Sequence, residues 1–325
     1  MNTIKLRIAC VQYNPRIGQI DSNISHVKRL LLSSNLTKPD IIILPELAVT
    51  GYNFKDKDHI QTSLDSLQNI QSGKSIKFGQ ELSKLYNCFT IIGYPEKFQG
   101  STIYNSAVLI SPIGTILHNY RKTFLYETDE KWGCSENPQR GFKSIDVVFD
   151  REFYTNPDPQ KNYSKVRTNF GICMDLNPYK FEAPFNEFEF SLASYIQGAK
   201  LILCPMAWLS PLSPSITKVS KYELENENEA DDSTVNYWIL RFFPFLSHRN
   251  SILPKSFGKV NVVCCNRIGL EDDVLFGGSS SVIEFDSTKG LDEKINSENP
   301  SVNVLGSLGK NTEGVLIRDI EVELD

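Results

Sequence analysis

Histidine and methionine are scarce: His26, His59, His118 and His248 are the only four histidines among 325 residues, and there are three methionines. No His-Glu-x-x-His pair occurs, so a histidine-built metal centre is not signalled. The seven cysteines (Cys10, Cys88, Cys134, Cys173, Cys204, Cys264 and Cys265) are odd in number, and none has Cys-x-x-Cys spacing. That excludes both a disulfide framework and a zinc knuckle as readings of the pattern; most should be small buried hydrophobes. No apolar run approaches the roughly 20 residues of a membrane helix. The start, Met1 to Gln12, alternates like a strand and has neither the apolar core of a signal peptide nor the Arg-rich amphipathic character of a transit peptide. A basic excess is missing too: Lys+Arg 34 against Asp+Glu 39 gives a formal charge of −5, which argues against a nucleic-acid or anionic-membrane surface. The expectation is a cytoplasmic protein without metal or cofactor. Gly 19, Pro 16 and 11% aromatics leave no room for collagen-like, coiled-coil or mostly disordered readings.

Nucleotide and serine-hydrolase signatures are also lacking. There is no Gly-x-Gly-x-x-Gly and no Gly-x-Ser-x-Gly. Gly306-Ser-Leu-Gly309-Lys310-Asn-Thr312 has the wrong spacing for a phosphate loop, with Asn311 where Ser or Thr belongs, and a C-terminal turn is the better reading. Asn-x-Ser/Thr at Asn23, Asn35 and Asn162 carries no weight without a secretion signal.

What is present is an alternation of strands and helices. Leu6–Gln12, Ile41–Leu44, Phe89–Gly93, Leu201–Cys204 and Val260–Cys264 read as strands, several as continuous apolar runs of the kind buried on both faces. Asp21–Leu32, Ser75–Tyr86 and Phe188–Gln197 read as helices, with Asp21 as an N-cap candidate. Tyr104–Ile110 and Thr115–Tyr120 flank Pro112-Ile-Gly114, a hairpin signal. Strands near Ile145–Phe149, Val166–Ile172, Ser280–Phe285 and Gly314–Glu323 complete an α/β layered pattern. One domain, 1–325, is expected. Within it, 211–234 carries Pro211, Pro214 and a run of acids from Glu223 to Asp232, expected as a mobile surface insertion. The apolar segment Tyr237–Leu246 should pack on the core as a helix ended near Pro244.

Three reactive side chains stand where buried strands end. Glu46 follows Ile41–Leu44, Lys122 follows the hairpin strand, and Cys173 ends a third strand. Taken singly, a Cys in an apolar strand is usually structural, a Lys after a hairpin is usually solvated, and a Glu after Pro is usually a helix-start charge. Together they have a chemistry: strand ends are where α/β folds gather side chains on a substrate. A carboxylate can take the thiol proton, the thiolate can add to an amide carbon, and an ammonium with a backbone N–H can hold the oxyanion.

Leu-Pro-Glu46-Leu-x-x-Thr-Gly51-Tyr52, Tyr-Arg-Lys122-Thr and Gly-Ile-Cys173-Met-Asp175 resemble, in that order, the three signature blocks of the nitrilase (carbon–nitrogen hydrolase) superfamily. The likeness runs from Ala9–Pro15 to Phe276–Ser281. It implies a four-layer α-β-β-α sandwich, with Cys173 as nucleophile, Glu46 as general base and acid, Lys122 as oxyanion stabiliser and the Met174 N–H as second oxyanion donor. A further acid in the loop after the Lys would be Glu130, with Glu127 and Asp129 competing for the place.

Longer blocks, Gly171–Phe185, Leu203–Leu209 and Asn236–Leu246, resemble a narrower family, the fungal-type N-terminal amidases. These convert N-terminal Asn or Gln of polypeptides to Asp or Glu, products that enter the N-degron pathway. That substrate presents an α-ammonium beside the scissile amide, and Asp175 is the candidate to receive it, against a purely structural role for the same residue. Two rivals stand beside this reading. One is a small-molecule amidase of the superfamily, such as an ω-amidase or N-carbamoyl amidase. The other is an inactive scaffold of the same fold, which would have no need of the full Glu–Lys–Cys set. A monomer and a homodimer are both compatible with the sequence.

Overall fold

The computed structural model describes residues 2–69, 73–217, 228–246, 257–289 and 294–324. The strands are β1 Thr3–Gln12, β2 Ile41–Ile43, β3 Phe89–Lys97, β4 Ile103–Ile110, β5 Ile116–Arg121, β6 Ile145–Val147, β7 Val166–Phe170 and β8 Leu201–Pro205. They continue with β9 Lys259–Cys265, β10 Ile268–Glu271, β11 Val274–Gly277, β12 Ser281–Asp286, β13 Val302–Ser307 and β14 Gly314–Glu323. Two six-stranded sheets form, in the orders β14-β1-β2-β3-β4-β5 and β13-β12-β9-β8-β7-β6. Each has a parallel trio at its centre, β1-β2-β3 and β7-β8-β9, flanked by antiparallel strands.

Parallel strands need both faces covered, and here both are. Leu6, Ile8 and Cys10 of β1, with Ile41, Ile43 and Ile91, pack in one cluster with Val166, Leu201, Leu203 and Val262 of the second sheet. The alternate residues Ala9, Val11, Ile42 and Ile92 turn outward onto Val27, Leu31, Ile76 and Leu82 of helices Ile20–Ser33 and Lys74–Tyr86. On the far side, helices Glu189–Ile196 and Asp232–Arg241 cover the second sheet with Phe190, Trp238 and Ile239. The result is the expected α-β-β-α sandwich.

Most expected elements are present with ends moved by one or two residues. The helix placed at Asp21 begins at Ile20, so Asp21 is not its cap; it lies in the first turn and pairs with Lys74 Nζ at 2.7 Å. The apolar segment after Tyr237 helices only to Arg241, then makes a tighter turn over Phe243–Phe245, because proline at 244 lacks the donor to continue. The short strands β10, β11 and β13 have no counterpart in the sequence reading. Gly306 and Ser307 end β13, and the following turn is tied down by Gln12, whose Nε2 donates to Gly309 O at 2.7 Å and Thr312 O at 2.8 Å.

The segment expected as a mobile insertion is corrected at both ends. Ser213 is buried, its hydroxyl accepts from the Leu275 N–H at 2.9 Å, and Pro214–Thr217 forms a helical turn. Asp231 caps the next helix by accepting from the Thr234 N–H at 2.8 Å. Its central acids Glu223, Glu225 and Glu227 lie outside the described residues. Among the described residues no helix is long and apolar enough to cross a membrane, and no cluster of His, Cys, Asp and Glu could hold a metal ion.

Candidate active site

Glu46 sits in the tight turn that leaves β2. The turn is pressed flat against β3, with the Leu44 N–H donating to Ile91 O at 2.9 Å and the Ala48 N–H to Gly93 O at 3.0 Å. Gly93 makes this approach possible: a Cβ there would come within 2.7 Å of both Leu47 N and Pro45 O. Leu47 takes φ +45° to close the turn. Glu46 is thereby driven inward and is fully buried.

Its two oxygens are used separately. Oε1 accepts from Lys122 Nζ at 2.7 Å and from Asn105 Nδ2 at 2.7 Å, while Oε2 accepts from the Ala207 N–H at 2.8 Å, just past β8. Burial pushes the Glu46 carboxyl above the ordinary range, and the Lys122 charge works against that rise.

Lys122 follows β5, and its N–H donates to Asn105 O of β4 at 2.8 Å. Its ammonium bridges two carboxylates, Glu46 Oε1 at 2.7 Å and Asp129 Oδ2 at 2.6 Å, and lies 5.7 Å from the Tyr52 ring centroid. Burial opposes the charge, but Asp129 and Glu46 outweigh it and hold the amine well above its usual pKa, so it stays an ammonium. An ammonium has three donors, and these carboxylates occupy two.

Asp129, not Glu130, is the acid that meets this lysine. It is fully buried in helix Glu127–Lys131, whereas Glu130 is exposed. Helical geometry separates them: neighbouring residues point about 100° apart, and this helix turns Thr128 and Asp129 inward while Glu127 and Glu130 stay exposed. Asp129 also receives the Tyr126 N–H at 2.9 Å and Asn105 Nδ2 at 2.9 Å. Glu127 is exposed as well. The carboxamide of Asn105 therefore joins the two acids that hold Lys122. A lone Asn in a hairpin strand gave no signal of this, while the three-residue reach from Tyr126 back to Asp129 is a helix-start pattern that could have favoured Asp129.

Cys173 opens a short helical turn, Cys173–Leu176, after β7, with φ +44°. A left-handed non-glycine residue is strained, and such strain persists only where the surroundings enforce it. The residue is 8% exposed. The Ala207 N–H that serves Glu46 also faces its sulfur. Burial and the Glu46 charge push the thiol well above its usual pKa, while Lys122 draws it down. At rest the group is a thiol. The Met174 N–H follows at the first turn, where helical N–H groups lack intrahelical partners.

Asp175 does not face the cavity, which corrects its expected role as receiver of the α-ammonium. It is fully buried behind the turn. One oxygen accepts from the Ile172 N–H and the Tyr120 hydroxyl, both at 2.8 Å. The other accepts from the N–H groups of Thr123, at 3.1 Å, and Phe124, at 2.8 Å. Burial pushes its carboxyl up to about 6, against these donors. It locks the Cys173 turn to the chain that follows Lys122.

A cavity of about 450 Å³ opens onto Cys173, within the range of roughly 300–1,000 Å³ typical of small-ligand sites. Tyr52, Met174, Asn177 and Ala207 form its buried end, while Phe181, Pro211, Ile216 and Ser233 are its solvent-exposed lining. Tyr237, from the helix that Asp231 caps, also lines it and donates its hydroxyl to Asn177 Oδ1 at 2.7 Å.

Comparison with known proteins shows the family of the chain and its fold. Residues 7–150 match the carbon–nitrogen hydrolase family. The chain is 31% identical to the protein N-terminal amidase of Saccharomyces cerevisiae, over 99% of this chain and 96% of that protein. It is 32% identical to the protein N-terminal amidase of Schizosaccharomyces pombe, over 88% and 93%. Among solved structures, one of an N-terminal amidase with a Cys-to-Ser substitution superposes with a TM-score of 0.84 at 29% identity, covering 98% of both chains. Structures of an N-terminal amidase with an Asn-Glu-Ala peptide and with a Gln-Gly peptide each superpose at 0.82 over the same share.

Proposed function

The chain belongs to the carbon–nitrogen hydrolase family, and from that premise we propose that it is a protein N-terminal amidase, converting N-terminal Asn and Gln of polypeptides to Asp and Glu with release of ammonia. The observation that carries the proposal is the Lys122 ammonium, bridged to Glu46 and Asp129 beside Cys173, with Cys173 at the buried end of the cavity. The relatives carry the same name over nearly their full length, and the similar structures hold peptides that begin with Asn or Gln.

The mechanism follows from the groups present. Glu46 takes the proton of Cys173 as the sulfur adds to the carboxamide carbon, so that charge on sulfur exists only as it is used. The oxyanion is held by the remaining donor of Lys122 and by the Met174 N–H, each such donor being worth about 3–4 kcal/mol. The protonated Glu46 returns its proton to the leaving nitrogen, ammonia departs, and a thioester joins the substrate to Cys173. Glu46 then takes a proton from water as it attacks the thioester; the C–S bond breaks, Glu46 returns that proton to the Cys173 sulfur, and the new carboxyl group leaves. Asp129 and Asn105 hold Lys122 and Glu46 in place throughout. The Asp or Glu terminus so made is the kind of signal on which an N-degron pathway acts.

The test is a peptide panel beginning Asn, Gln, acetyl-Asn and internal Asn, with free Asn and α-ketoglutaramate beside it, followed by ammonia release and mass spectrometry. A gain of about one dalton is expected on the peptides with a free N-terminal Asn or Gln and not on the acetylated or internal ones, since among the peptides only these offer both amine and carboxamide to one site. Preferential turnover of the small molecules would instead support the ω-amidase reading.

A further inference from the structure

Arg267 and Glu271 form a buried ion pair that the mechanism does not use. Arg267 is fully buried and Glu271 is 7% exposed. The guanidinium donates from Nη1 to Glu271 Oε1 at 2.7 Å and from Nη2 to Pro15 O at 3.0 Å, and its carbon lies 3.9 Å from the Phe276 ring centroid. Replacing such a pair by apolar side chains is often neutral or stabilising, so stability alone does not account for two charges in this place.

The second carboxylate oxygen turns toward the chain that leaves the Glu46 turn. Glu271 Oε2 accepts from the N–H groups of Asn53, at 2.7 Å, and Tyr52, at 3.1 Å, and Asn53 Nδ2 donates back to Glu271 O at 3.1 Å. These two N–H groups flank the Cα of Tyr52, so the backbone is gripped on both sides of that residue. The approach needs Gly51, which has φ +80° and where a Cβ would come within 2.8 Å of Glu271 Oε1 and 2.6 Å of Ile17 Cα. The ring is held as well. Phe276, which lies against the guanidinium, meets the Tyr52 ring edge-on with centroids 6.1 Å apart.

Tyr52 is where this grip meets the chemistry. It is 1% exposed, lines the cavity with Cys173, and has its ring centroid 5.7 Å from Lys122 Nζ. Burial, with Asp129 and Glu46 nearby, pushes its hydroxyl well above the usual pKa, so the ring stays neutral and its face attracts a cation. Glu46 and Asp129 take two of the three ammonium donors, and the ring stands on a further side.

We propose that the Arg267–Glu271 pair is a positioning device for catalysis: it fixes the Tyr52 ring against the Lys122 ammonium, so that the remaining donor stays aimed at the oxyanion. This rests on the amidase reading above and deepens it with two residues that touch neither substrate nor reacting atoms.

The experiment measures kcat and KM for ammonia release from an Asn-Gly-Ala peptide, with thermal melts alongside. Glu271→Asp keeps the charge opposite Arg267 but is one methylene too short to span from the guanidinium to both N–H groups. It should lower kcat about fivefold with KM within about twofold. Arg267→Met combined with Glu271→Gln removes both charges yet keeps an oxygen at full reach, and should restore kcat to within about twofold of wild type. A role in charge balance alone would give the opposite order. Tyr52→Leu should lower kcat about tenfold, the size of one desolvated cation–π contact. Glu271→Asp added to Tyr52→Leu should cost less than about a further twofold, because both changes remove the same interaction. Wild-type kcat in Glu271→Asp, a loss confined to KM, or the full loss repeated in the Tyr52→Leu background overturns the proposal. The cycle needs only Glu271→Asp and Tyr52→Leu, so it decides the matter even where the uncharged pair fails to melt cooperatively. No ammonia with wild type would instead remove the amidase reading, and this inference with it.

Discussion

Glu46 and Lys122 act on the Cys173 thiol in opposite directions: the carboxylate raises its pKa and the ammonium lowers it. Two substitutions should therefore separate reactivity from catalysis. Glu46→Gln should abolish amide turnover, by about 10³-fold or more, because no group remains to move the proton. Its thiol should nevertheless react faster with iodoacetamide at a given pH, since a repelling charge is gone. Lys122→Met should slow alkylation as well as turnover. Stopped alkylation series from pH 7 to 10 on both variants check the signs, and a slower Glu46→Gln reaction would contradict them. At this scale the sequence was most informative for Glu46, Lys122 and Cys173, whose flanking residues are distinctive. It was least informative for choices between neighbours. Asp129 and Glu130 are both acids in one loop, and only the helical turn decides which points inward. Asp175 beside the nucleophile looked like a substrate contact, and it is four donors in the interior that claim it.

The element that most shapes the pocket is the stretch Leu176–Glu189 between the Cys173 turn and the next helix. It has little regular structure, and Arg241 of helix Asp232–Arg241 holds it. That guanidinium is buried, donates to Leu176 O and Phe185 O, reaches Glu189 Oε2 at 3.4 Å, and lies 4.8 Å and 5.1 Å from the Phe185 and Phe188 rings. Arg241→Met would leave two inward carbonyls without donors, so a loss of about 3 kcal/mol or more is expected in urea unfolding. KM should rise as well, since Asn177 and Phe181 belong to the same stretch. An unchanged KM in a destabilised variant would show the stretch to be rigid without its anchor. None of this was legible beforehand. Periodicity marks an amphipathic helix such as Ile20–Ser33, but an irregular segment pinned by one distant arginine has no period. The acidic run likewise hid that Asp231 is a helix cap.

For the whole molecule, the alternation of apolar strands and amphipathic helices sufficed for the class of fold, because strands covered on both faces must lie between helix layers. Pairing order was not legible, since nothing local says that β14 joins β1. That antiparallel pair runs from Thr3 against Glu323 to Gln12 against Gly314 and closes one edge of the first sheet, with Leu316, Ile320 and Val322 in the inter-sheet core. A chain ending at Glu313 should lose its cooperative thermal transition and its amidase activity together. A truncated protein that melts cooperatively would show that the edge is dispensable.

The close approach at Gly93 has a consequence for how such an enzyme can drift over time. The seat of the acid depends on a void on the neighbouring strand as well as on the groups that hold its carboxylate, so the smallest possible mutation, one methyl group, would lift the turn and carry Glu46 away from the amine and the sulfur. A position remote from substrate, with no functional group of its own, is thus as intolerant of change as the reacting atoms themselves.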